Sequence, residues 1–189
     1  MRSEVSLTAV LLCAFHFAWA APDPALVEQL REGGYVLYMR HASTDMSQND
    51  SKMTSYEDCA GQRNLTDKGR EEARAIGAQV GRLRIPIGAV LASPFCRTVE
   101  TARLVFGKAQ PSNDVRGGPA SAEGGRYDAL RKLLSTPVKR GENLVISSHG
   151  NPFQALAGSP YLAEGEIAVV RPEGADKFSV IARIRPTDW

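Results

Sequence analysis

Histidine is scarce in this chain, with three residues among 189, and cysteine is equally rare. A net charge of only +2 and the lack of any lysine- or arginine-rich block argue against nucleic acid or a membrane surface as partner. No internal repeat and no linker interrupt the sequence. Its length suits one domain with a sizeable core, and its hydrophobic and charged fractions are those of an ordinary globular protein.

The first twenty residues differ from the rest. Arg2 supplies a positive charge, residues 5–18 form an apolar run, and Ala18-Trp19-Ala20 has the small-x-small pattern of a cleavage site. That run is short for a bilayer span of about 20 residues. The expectation is a signal peptide over residues 1–20, a single domain over 21–189, and a periplasmic or secreted protein without stable membrane insertion. Cleavage removes Cys13 and His16 together.

The two remaining cysteines, Cys59 and Cys96, form an even count in an exported chain, which suggests a disulfide, with buried free thiols as the alternative. Neither belongs to a C-x-x-C pair, which argues against zinc or thioredoxin-like chemistry. Neither has the C-x5-R spacing of a catalytic thiolate loop: Arg63 comes too early after Cys59, and Arg97 and Arg103 are out of register with Cys96.

Periodicity gives an alternation of strands and helices. Asp23 and Pro24 open a short helix that stops at Gly33-Gly34. Residues 35–39 read as a strand buried on both faces. Residues 42–63 are polar and aperiodic, a long loop straight after a strand end. Thr66 caps a helix to about Leu83, a strand follows over 85–92, and another helix opens at Ser93-Pro94 with Gly107 at its end. A loop or lid is expected over 108–126, a short helix over 128–134, a strand over 144–148, a helix from Pro152, and a closing hairpin over 166–170 and 178–184. This order implies an α/β fold with a largely parallel sheet.

The two histidines of the mature chain, His41 and His149, each end a strand, where open α/β sheets bind ligands. Arg40 stands beside the first, and Arg97 follows a third strand. Guanidinium forks suit phosphate oxygens, and a helix start at Ser93 would add backbone N–H groups. The small residues Ala42 and Gly150 would let a ligand approach the backbone. Asp45, Asp50 and Asp58 could be combined with the histidines as metal ligands, but they lack ligand spacing. Arg97 could instead pair with Glu100 three residues on. Glu166, near the hairpin, reads as structural.

Four segments resemble, in order, the motifs of the histidine phosphatase superfamily, which includes phosphoglycerate mutases. They are Arg40-His41-Ala42, Leu65-Thr66-Asp67-Lys68-Gly69, the block from Ser93-Pro94 through Arg97 to Glu100-Thr101-Ala102, and Ser148-His149-Gly150. The resemblance implies a three-layer α/β/α sandwich with a mainly parallel central sheet and the two motif-bearing strands side by side. It also implies His41 as phosphate-accepting nucleophile, with Arg40, Arg97 and His149 completing the phosphate pocket, and no metal or other cofactor. The expected activity is hydrolysis of a small-molecule or glycan phosphate ester through a phosphohistidine. Short exported members resemble enzymes acting on lipopolysaccharide core sugars, and export argues against a glycolytic mutase.

Two positions depart from the family pattern. Ala42 replaces a usual glycine, and Asn151 stands where an aspartate would be a proton donor. Glu123, in the glycine-rich loop, lies about where one branch of the family supplies a glutamate. Without an evident acid, a weakly active or inactive phospho-ligand-binding protein is the alternative.

Overall fold

The computed structural model describes residues 22–118 and 125–189. The expected signal peptide and Glu123 lie outside the described residues. Five helices occur among them: α1 (Pro24–Glu32), α2 (Asp67–Arg82), α3 (Cys96–Phe106), α4 (Asp128–Ser135) and α5 (Gly150–Ala157). The six strands are β1 (Val36–Arg40), β2 (Ile87–Ala92), β3 (Gln110–Pro111), β4 (Asn143–Ser148), β5 (Ile167–Gly174) and β6 (Lys177–Ile184).

One sheet contains all six strands in the order β3-β2-β4-β1-β5-β6. The pairs β1/β4, β2/β4 and β2/β3 are parallel, whereas β5 and β6 form an antiparallel hairpin on the other side of β1. The two histidine-bearing strands, β1 and β4, are therefore neighbours. Because β1, β2 and β4 run the same way, the residues just after them meet at one edge of the sheet.

The side-chain alternation of β1 divides the core. Leu37 and Met39 join Ala73, Ile76 and Val80 of α2 and Ala102 and Val105 of α3, with Leu30 of α1. Val36 and Tyr38 join Leu130 and Leu134 of α4 and Phe153 of α5 on the opposite face. Such a strand, apolar on both sides, is what a sheet covered by helices on both faces requires. The result is a three-layer α/β/α sandwich.

Three local expectations change. The third helix begins at Cys96, with Phe95 as its N-cap and no side-chain cap, rather than at Ser93-Pro94. Its buried face is Arg97, Thr98, Thr101, Ala102 and Val105. The segment read as a loop over 108–126 contains the two-residue edge strand β3, too short to show a period and ending in a proline tolerated only at an edge. The last helix starts at Gly150, which makes His149 its N-cap.

Cys59 and Cys96 are bonded, with Cα atoms 5.7 Å apart, and the bridge fastens the long loop to the first residue of α3. Closing a loop of 37 residues contributes about 4 kcal/mol through the unfolded chain. Beside it, Cys96 N donates to Gln62 Oε1 at 2.9 Å. Arg70 of α2 meets Glu100 of α3 at 2.7 Å, so the loop and both helices hold one another in register.

Candidate active site

His41 follows β1 directly and is 1% exposed. Its backbone N–H donates to the Ser148 carbonyl at 3.0 Å, continuing the β1/β4 ladder one residue beyond the strand. Its Nδ1 lies 2.9 Å from the Ala42 carbonyl oxygen. A carbonyl only accepts, so Nδ1 carries the proton and Nε2 keeps its lone pair. Ala42 is fully buried, its N–H donates to Thr101 Oγ1 at 3.0 Å, and it is not among the residues of positive φ. The alanine therefore fits where the family pattern has glycine, as its backbone conformation makes no special demand.

His149 stands with its ring edge-on to that of His41, centroids 5.6 Å apart. Ser93 Oγ shares a 2.8 Å hydrogen bond with His149 Nε2. Tyr38 donates its hydroxyl proton to the His149 carbonyl at 2.8 Å from beneath. Phe95 packs edge-on against the ring on one side, and Gly117 lies so close that a Cβ there would come within 2.5 Å of it.

Arg97 reaches this cluster from the first turn of α3. Its Nη1 donates to Asp50 Oδ1 at 2.8 Å and to the Arg63 carbonyl at 3.3 Å, and its guanidinium lies over the Phe95 ring. Arg40 Nη1 donates to the Leu162 carbonyl at 2.8 Å, and Nη2 lies 3.3 Å from Glu164 Oε1. Glu164 also accepts from Thr44 Oγ1 at 2.7 Å and stands 3.9 Å from His41 Nδ1. The Nε atoms of Arg40 and Arg97 are buried and have no partner among the described residues.

All four residues singled out from the sequence thus converge: His41 and His149 are in ring contact, Arg97 packs on Phe95, which packs on His149, and Arg40 shares Glu164 with His41. The other residues raised by the sequence take up positions around this cluster. Asp50 is the partner of Arg97, while Asp45 and Asp58 cap turns at Ser47 and Thr54, and no metal-ligand cluster occurs among the described residues. Glu100 pairs with Arg70 rather than Arg97. Glu166 accepts from the Ala163 N–H at 2.7 Å, a structural role. The space left by Gly150 belongs to the Tyr161 ring, which a Cβ would meet at 2.2 Å, and not to a ligand. The N–H of Cys96 at the start of α3 is spent on Gln62.

Asp50, Ser93, Glu164 and the main chain of Arg63 were not identified from the sequence as parts of this site. Asp50 and Arg63 sit in an aperiodic loop, and Glu164 lies 120 residues from the Thr44 it binds, so no spacing connects them.

Burial sets the protonation of the cluster. It pushes His41 down to about 3, against the opposing hydrogen bond to Ala42 and with help from Arg97, Arg40 and Arg63. Burial also holds His149 well below the ordinary imidazole range, with the Arg97 and His41 charges adding to the effect. Burial would raise Asp50, but the hydrogen bond from Arg97 and that from the Arg63 N–H outweigh it and keep the carboxyl below its usual value. Both imidazoles are therefore neutral around pH 7, and Asp50 is ionised.

A histidine whose folded pKa is depressed stabilises the fold above its unfolded pKa of about 6.5, and that contribution is lost as pH falls toward the folded value. His41 and His149 are the histidines of residues 21–189, so they dominate titration between pH 6.5 and 5. Urea unfolding is expected to show stability dropping on the order of 1 kcal/mol per pH unit for each histidine in that window. A curve flat from pH 7 to 5 would contradict the burial of neutral imidazoles.

The comparisons with known proteins agree with this fold. The family model for the histidine phosphatase superfamily (branch 1) matches residues 36–118. No curated protein matches the chain. Among solved structures, the protein histidine phosphatase SixA complexed with tungstate is similar at 21% identity and a TM-score of 0.55, covering 80% of this chain and 97% of its own. TTHB049 from Thermus thermophilus is 16% identical with a TM-score of 0.56, covering 80% and 99%. A phosphoserine phosphatase from Entamoeba histolytica is 12% identical with a TM-score of 0.54, covering 79% and 95%. At these identities the structures speak for the fold. The matched segment carries Arg40-His41 and the Arg97 block, so over residues 36–118 the chain is similar to the histidine phosphatase superfamily, and it shares the fold of these structures.

Proposed function

We propose that the protein is an exported, metal-independent phosphomonoesterase that hydrolyses a small-molecule or glycan phosphate ester through a phosphohistidine on His41. The observation that carries this reading is the 2.9 Å contact from His41 Nδ1 to the Ala42 carbonyl, which leaves Nε2 unprotonated in a cluster that also holds Arg40 and Arg97. In the first step Nε2 forms a bond to phosphorus as the bond to the ester oxygen breaks. In the second, water attacks phosphorus and the His41–phosphorus bond breaks, releasing inorganic phosphate. Arg40, Arg97 and His149 offset charge on the equatorial oxygens, acting where charge is held throughout the transfer.

The leaving oxygen needs a proton unless it is a weak base. Asp50 is ionised and engaged by Arg97, and Glu164 is engaged by Thr44 and Arg40. Asn151 donates through its amide to the Gly118 carbonyl and has no acidic proton to offer. The site therefore favours substrates with good leaving groups, and Glu123 keeps its place as a candidate acid. That a SixA of the same fold was captured with tungstate, an oxyanion, supports oxyanion binding by a protein of this fold.

The test is to mix the protein with a labelled aryl phosphate and quench in alkali. Label is expected on His41, stable to base and lost in acid, and turnover should survive a chelator. Hydrolysis without label on His41 would refute the mechanism, and activity abolished by chelation and restored by zinc would refute metal independence. Tight binding without turnover would make the chain a phospho-ligand-binding protein.

A further inference from the structure

We propose that Arg63 reads a second anionic group on the substrate, a carboxylate or a further phosphate close to the phosphate being transferred. The inference rests on the phosphate pocket described above and adds to it the substrate class.

The charges of the pocket pair unevenly. Asp50 answers Arg97 at 2.8 Å, and Glu164 answers Arg40 at 3.3 Å. Arg63 has no carboxylate partner among the described residues. Among the described residues its Nε is buried without a hydrogen-bond partner, and its Nη1 meets only the Met46 sulfur, at 3.5 Å. A thioether is a weak acceptor and a poor match for a guanidinium. An anion arriving there gains a charge-assisted hydrogen bond and displaces little.

The backbone of Arg63 is fixed at the rim of the pocket. Its N–H donates to Asp50 Oδ1 at 2.9 Å, and its carbonyl accepts from Arg97 Nη1 at 3.3 Å. The side chain turns toward Met46, whose sulfur lies 3.9 Å from Thr44 Oγ1, the group that donates to Glu164 beside His41. The guanidinium is thus on the His41 side of the pocket, and its charge is felt by both imidazoles. Met46 is 74% exposed, the most exposed large apolar side chain among the described residues, so nothing packed holds it over the arginine. Arg40 and Arg97 already face the transferred phosphate, which leaves Arg63 for a neighbouring anion.

Calorimetry on the mature protein with three non-hydrolysable probes tests this without requiring turnover. The probes are methylphosphonate, phosphonoacetate and methylenediphosphonate. Wild type is expected to bind at least one two-anion probe about 10-fold or more tighter than methylphosphonate. Which of the two gains identifies carboxylate or phosphate as the second group. In Arg63→Gln the preference should fall below about 3-fold while methylphosphonate stays within about 2-fold of wild type. Arg116→Gln removes a cation that bonds the Tyr56 hydroxyl, and should keep the preference. Equal binding of all three probes by wild type, equal weakening of all three in Arg63→Gln, or the same loss in Arg116→Gln would overturn the assignment. Failure to bind even methylphosphonate would overturn the phosphate pocket itself, whereas loss of the label on His41 with probe binding intact would overturn only the hydrolytic step.

Discussion

His41→Ala is expected to lower aryl phosphate hydrolysis by at least about 10³-fold, with no label retained on the protein and the fold intact. No other described group can take over the attack on phosphorus. His149 Nε2 is occupied by Ser93, guanidinium groups are not nucleophiles, and the carboxylates of Asp50 and Glu164 are engaged by Arg97 and by Arg40 and Thr44. The substitution opens a cavity at a nearly fully buried position, which costs some stability without reaching the sheet ladder, because the backbone N–H still meets the Ser148 carbonyl. His41→Asn separates chemistry from packing. Its amide N–H can replace the donor to the Ala42 carbonyl, yet it has no nucleophilic nitrogen. Both variants should unfold in a single transition near wild type and bind methylphosphonate. Either one retaining activity within about 10-fold of wild type would remove His41 from the nucleophile's place.

Much of the site was legible because its parts end regular elements. Arg40-His41 terminates an apolar run with β1 character, Ser93 follows β2, and Ser148-His149 terminates β4, so an α/β alternation alone brings them to one sheet edge. The buried double-sided character of β1 was readable for the same reason. The partners that orient these residues were not readable. Asp50 and Arg63 come from a loop with no period, and their meeting with Arg97 depends on how a disulfide and Gln62 fold that loop onto α3. Glu164 arrives through the segment before β5, a tertiary contact with no local signature. The start of α3 was misplaced by three residues because Ser-Pro is a good capping sequence, whereas Ser93 is spent on His149. A capping signal lost to a functional contact is the kind of local inconsistency expected where a site is built.

Arg97→Ala is expected to lower kcat/KM by about 10² to 10³-fold, the cost of removing a preorganised donor from charge carried through the transfer. Arg97→Lys should recover only part of this, since an ammonium keeps the charge but not the planar fork. The two arginine functions, holding anion and answering Asp50, can be separated by a double-mutant cycle with Asp50→Asn. Asp50 accepts from Arg97 Nη1 and leaves Nε of that guanidinium buried without a partner among the described residues, so it fixes one edge of the fork while another remains unused. If Asp50 acts by positioning Arg97, Asp50→Asn should slow the wild type by about 10-fold yet change the Arg97→Ala variant by less than about 2-fold. The acid limb of stability should shift as well. Asp50 ionised beside a cation contributes above its ordinary carboxylate pKa and loses that contribution as pH falls through its lowered value, so Arg97→Ala should move the loss to higher pH. Additive effects of the two substitutions would mean that Asp50 acts on its own account, and near-wild-type activity of Arg97→Ala would remove the third strand end from the phosphate pocket.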